Sequence, residues 1–208
     1  MYPCIFDKPL SGLDFLEYYN VHDVYHCGID LNKGSGNDDL GNEVVAAKSG
    51  FVVYCHETVW NSSGFGKFVI IQHADNNFTR YAHLADITVK EGQEVKEGKL
   101  IGHVGNTGTV SSHLHFEVMN KACMELQLAH WRKWRFYPSG KSKAWVREYY
   151  LNPWEWLEPK VEGIPDWSEA ASTWCKQQEI LTTVNGRDIK DYELAVVLKR
   201  FHDKFIIS

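Results

Sequence analysis

From Glu43 to about Val118 the chain sets short apolar runs between polar, glycine-bearing breaks. Val44-Val45-Ala46-Ala47, Gly50-Phe51-Val52-Val53-Tyr54 and Lys67-Phe68-Val69-Ile70-Ile71 are too short for ordinary helices, and turn residues separate them. Closely spaced runs of this kind predict a mainly β fold, an antiparallel sandwich or barrel-like sheet. Val89 to Gly102 reads as two tight turns around a short strand. Gly34 to Gly41 and Trp60 to Gly66 read as loops, the first a solvated one.

After Asn120 the pattern changes. Met124, Leu128 and Trp131 follow one another at helical spacing. The stretch 121–150 mixes Arg132, Lys133, Arg135, Lys141, Lys143 and Arg147 with aromatic residues, either to hold an acidic or sugar-bearing polymer or to pack aromatics on the sheet with the cations solvated. Asn152-Pro153-Trp154 precedes a domain end near Glu158, giving a first domain over 1–158. Beyond a linker from Pro159 to Pro165, residues 166–208 predict a small α-helical module. Asp166 would cap a helix carrying Trp167, Ala170, Ala171 and Trp174 on one stripe. A second helix, from about Asp188 or Asp191, would align Leu194, Val197, Leu198, Phe201 and Phe205.

A 208-residue chain that is 44% apolar can bury one sizeable core and a small second module. Its net charge of −5 argues against a general nucleic-acid binder, and no apolar run is long enough to cross a bilayer. Cys4, Cys27, Cys55, Cys123 and Cys175 are odd in number and scattered, which suits neither a disulfide framework nor a cysteine metal site. Cys27 is expected to be a small buried residue.

The chemistry sits in the histidines. On a strand, His113 and His115 of Ser112-His113-Leu114-His115-Phe116-Glu117 would project from one face. His26 and Asp30, four apart on an extended segment, would do the same. A catalytic zinc takes three protein ligands and keeps a fourth position open. His26, Asp30 and one histidine of the later pair would supply them. His-Glu-x-x-His, with its glutamate base, is absent, so proton transfer falls to histidine: the spare member of the pair, or His83 in Tyr81-Ala82-His83-Leu84. His73 is expected to be a strand residue near the site.

These fragments resemble the lysostaphin-type, LytM-like zinc metalloendopeptidases that cut peptidoglycan peptides. His26-x-x-x-Asp30 with its Gly-rich loop, Tyr81-Ala82-His83-Leu84, Val104-Gly105-Asn106-Thr107-Gly108 and His113-Leu114-His115 occur in the family's order, from about Tyr25 to Met119. The resemblance implies a duplicated hybrid motif (barrel-sandwich hybrid) fold, Zn2+ held by His26, Asp30 and His115, and His83 and His113 as the catalytic pair. It implies hydrolysis of cross-bridges or stem peptides of peptidoglycan by a monomer acting on the cell wall. The residues 1–8 do not read as a signal peptide, so a removed leader or phage-type release is expected. The C-terminal module would then bind the wall or dock as a helical hairpin. The alternative function is a non-catalytic LytM-like regulator that activates another hydrolase. A carrier or phosphotransferase domain, which shares the double-turn fragment, is disfavoured: no Met-Lys dipeptide occurs, and Asp30 would repel a phosphate.

Overall fold

The computed structural model describes residues 13–56, 64–130 and 138–157, with Pro3 and the pairs 183–184 and 187–188. The chain divides into two units, Met1–Glu158 and Pro159–Ser208. In the first, the strands are β1 (Tyr18–Tyr19), β2 (Val24–Tyr25), β3 (Gly28–Leu31), β4 (Glu43–Val45), β5 (Gly50–His56), β6 (Lys67–His73), β7 (Phe78–Leu84), β8 (Asp86–Ile87), β9 (Glu94–Val95), β10 (Leu100–His103), β11 (Leu114–Met119) and β12 (Tyr150–Leu151). Among the described residues of this unit there are also a 3-10 turn at Asn20–His22 and the helices α1 (Lys121–His130), α2 (Lys143–Tyr149) and α3 (Pro153–Leu157).

All pairings are antiparallel, as the sequence pattern predicts, and none of the described sheets closes into a barrel. The large sheet runs β12-β11-β7-β6-β5-β9, and β3 joins the edge of β11 that β12 also uses. There β3 takes Leu114 to Glu117 and β12 takes Val118 and Met119. A smaller sheet runs β4-β10-β8.

Two apolar clusters sandwich the large sheet. On one face Ile29, Val69, Ile71, Tyr81, Phe116 and Val118 share a core with Val44 and Ile101 of the smaller sheet. On the other, Ile70, Phe78 and Met119 pack with Cys123 and Met124 of α1 and Val146 of α2. Strands β7 and β11 are therefore buried along their whole length. Polar side chains within them, Arg80, His83, His115 and Glu117, are enclosed and must find partners there.

The expected helix after Asn120 is α1, but its buried face is set by Cys123, Met124 and Gln127, and Leu128 is exposed. Helix α2 was not foreseen in the sequence; Ser142 caps it by accepting from the Trp145 amide. At α3, Asn152 accepts from the Trp154 amide and Pro153 opens the helix, where a missing N–H does no harm. Trp131 and the aromatic run 134–137 lie outside the described residues.

In the second unit, β13 (Thr183–Val184) pairs with β14 (Arg187–Asp188). Asp188 thus belongs to a strand and does not open a helix; the remaining helical expectations for 166–208 lie outside the described residues.

Gly28 is where β3 lies tightest on β11. A Cβ there would run into the Phe116 carbonyl oxygen. Gly28→Ala is expected to lower unfolding free energy by about 1–3 kcal/mol, read by urea titration, because neither backbone can yield without breaking the ladder.

Candidate metal centre

Pairing of β3 with β11 sets Asp30 directly opposite His115. His26 enters from the turn just before β3. The three side chains meet: His26 Nε2 is 3.2 Å from Asp30 Oδ1, His115 Nδ1 is 3.0 Å from the same oxygen, and the two nitrogens are 3.0 Å apart.

The far nitrogens fix the tautomers. His26 Nδ1 donates to the Asp14 carbonyl at 3.2 Å, and His115 Nε2 donates to Glu117 Oε2 at 3.1 Å. Both facing nitrogens then carry lone pairs, and the carboxylate oxygen adds a third donor. Three lone pairs directed at one another require a cation between them. Without a metal a proton serves: burial alone would lower the His115 pKa, but its hydrogen bonds to Asp30 and Glu117 raise it to about 9. Burial likewise works against the Asp30 carboxylate, yet His26 and His115 hold its pKa well below the usual range. The donor triangle also fits a metal ion. Bonds of about 2.0–2.1 Å at tetrahedral angles separate ligand atoms by about 3.3 Å.

A strap ahead of β3 holds His26 and Asp30. Leu13 and Glu17 carbonyls accept from the Asp30 and His26 amides, and the Leu16 amide donates to the His26 carbonyl. Asp14, whose carbonyl meets His26, is anchored in turn by the Trp154 indole at 2.8 Å.

His83 reaches the site through a bulge. Lys67 pairs with Leu84 and Val69 with Tyr81, so Phe68 alone spans Ala82 and His83. Strict alternation would send His83 into the Tyr81 core. The extra residue, with His83 at φ 63°, turns it out and returns Leu84 to the core beside Tyr81. Its ring centre lies 4.6 Å from His113 and 5.9 Å from His115. Nδ1 donates to the Thr107 carbonyl at 2.9 Å. Thr107 is itself pinned, donating to Leu84 O and accepting from the Lys67 amide.

His113 lies one residue ahead of β11, held by a bridge to Gly105 rather than within the strand expected for it. Nδ1 donates to the Ser111 carbonyl at 3.1 Å and Nε2 stands 3.8 Å from Asp30 Oδ1. Ser112 donates to Asp39 and its amide to Asn37. Asp39 is 2% exposed, so the loop expected to be solvated instead buries a carboxylate that braces His113. Burial lowers the pKa of both His83 and His113, that of His83 to about 3 with help from the neighbouring imidazoles. Each is a neutral ring with its proton committed at Nδ1, leaving Nε2 as a base.

The structure therefore brings His26, Asp30, His83, His113 and His115 together. His73 is elsewhere, bonded to Ser49 and Thr79 and packed on Trp156. Cys27, His115 and Glu117 form a second group of metal-ligating types. It suits a metal poorly, because Arg80 Nη1 already holds Glu117 at 2.8 Å and burial pushes the Cys27 thiol well up. The strap lies ahead of every fragment that carries the family resemblance, and nothing in its composition marks it. Glu117 and Arg80 did carry a signal: ionic residues inside otherwise apolar strands.

Residues 24–126, which hold all five, match the model of Peptidase family M23. The chain carries a peptidase family M23 domain. This M23 domain is 42% identical over 106 residues to the murein hydrolase activator NlpD of Salmonella dublin, covering 51% of this chain and 26% of that protein. Over 81 residues it is 42% identical to the peptidoglycan DD-endopeptidase ShyA of Vibrio cholerae, covering 38% and 18%. The chain thus spans about a quarter of the length of the first curated relatives. In fold, the M23 domain resembles a chain of the SpoIIQ-SpoIIIAH pore-forming complex, with a TM-score of 0.53 and 22% identity over 78% of this chain and 93% of that one. It also resembles the catalytic domain of lysostaphin from Staphylococcus simulans, with a TM-score of 0.50 and 23% identity over 70% and 90%.

The left-handed backbone at His83 should reverse the usual order of two substitutions. His83→Gly is expected to be more stable than His83→Ala by up to about 1 kcal/mol in urea titrations, although glycine normally weakens a strand.

Proposed function

We propose that this M23 domain is a zinc-dependent endopeptidase that hydrolyses peptide bonds in peptidoglycan cross-bridges or stem peptides, acting on the cell wall. His26, Asp30 and His115 are the ligands, and His83 and His113 the catalytic pair. The observation that carries the reading is the convergence of three lone pairs beside two imidazoles that each keep Nε2 available. Zinc in that position supplies a Lewis acid for the scissile carbonyl and makes a neighbouring water acidic.

The chain's own residues do the rest. His113, braced by Ser112 and Asp39, takes the proton of the attacking water at Nε2 and returns it to the leaving amine. His83, held by Thr107 and the bulge, accepts from that water at Nε2 and orients it for attack.

A second reading is favoured by the identity to NlpD, a murein hydrolase activator: the domain would stimulate another wall hydrolase without cutting. What supports the first reading over it is the complete set of five residues.

Purified chain incubated with isolated peptidoglycan separates the two. It is expected to release new amino termini unaided, to stop when a chelator is added and to recover with zinc, with fragments read by mass spectrometry. His113→Ala should retain zinc while turnover falls by about 100-fold or more. Stimulation of a separate hydrolase by both wild type and His113→Ala, with no fragments released by either alone, would favour the activator.

A further inference from the structure

We infer that Glu117 is a positioning residue of the metal centre: it holds His115 from behind so that Nδ1 faces His26 and Asp30, and Arg80 in turn holds Glu117. The inference rests on the reading of His115 as a zinc ligand.

Glu117 Oε2 accepts from His115 Nε2 at 3.1 Å and from the Cys27 thiol at 3.0 Å, while Oε1 lies 2.8 Å from Arg80 Nη1. Both charged side chains are 0% exposed. Arg80 lies 4.2 Å from the centre of the Phe65 ring, which also packs on His115 at 5.5 Å between ring centres. His115 is thereby fixed by a carboxylate at its edge and an aromatic ring against it.

As a stabilising device the pair is poor. A buried ion pair seldom outperforms apolar residues of the same volume. Here Arg80 Nε and Nη2 also lack hydrogen-bond partners among the described residues. What an apolar pair could not supply is a fixed carboxylate accepting from the far nitrogen of His115. A carboxylate in that place sets the tautomer, stops the ring from turning and strengthens the imidazole as a donor, and outer partners of this kind change metal affinity by about 10–100-fold.

Two variants test this. Glu117→Gln keeps an acceptor for His115 but drops the charge; Arg80→Met with Glu117→Gln also removes the unpaired guanidinium. For the double variant, urea midpoints are expected to equal or exceed wild type. In both variants zinc affinity, measured by competition with a chromophoric chelator, should fall about 10–100-fold. In zinc-loaded wild type, nitrogen NMR should place the His115 proton on Nε2. Wild type that takes up no zinc would remove the ligand assignment and this inference with it. Wild type that binds zinc, with both variants binding equally well, would overturn the inference alone.

Discussion

Two imidazole lone pairs and a carboxylate oxygen that point at one another within a buried sheet face repel unless a positive charge sits between them. Strand register and the hydrogen bonds on the outer ring nitrogens maintain that arrangement. Register between β3 and β11 places Asp30 opposite His115. Hydrogen bonds on the outer nitrogens, to Asp14 and Glu117, prevent either ring from turning its N–H inward to relieve the repulsion. A proton on His115 can occupy that position, and the spacing of the donors would also suit a metal ion.

Around this centre the fold departs from regularity where it must aim a side chain. The bulge in β7 turns His83 out of the Tyr81 core at the expense of a left-handed residue without the freedom of glycine. His113 has only an isolated bridge to Gly105, so its position depends on that bridge, Ser112 and Asp39 instead of a ladder. Regular pairing sets Asp30 and His115, and irregular backbone sets His26 and the proposed catalytic pair.

That division explains what could be read from the chain. His26 with Asp30, and His115 with its neighbours, follow the two-residue period of extended backbone, so their convergence was legible, as was the mainly β, antiparallel class. The period says nothing of a bulge: His83 could be named as a candidate from the missing glutamate base and the family resemblance, but alternation along β7 would put it on the wrong face. Contacts distant in sequence were equally silent. Asp39, in a stretch whose composition reads as a solvated loop, is buried because Ser112 meets it 73 residues on. Helix α2 escaped notice because its seven residues, mostly charged or aromatic, bury little beyond Val146.

The strap of Leu13 to Glu17 precedes residue 24, where the M23 match begins. Its hold on His26 and Asp30 means that the segment matched by the family model lacks backbone that both of those residues bond to. Trimming the polypeptide to residues 24–126 would keep each of the five site residues yet cut away the backbone that His26 leans on. The limits of the family-model match and the limits of the contacts that hold this cluster are, in this molecule, different lines.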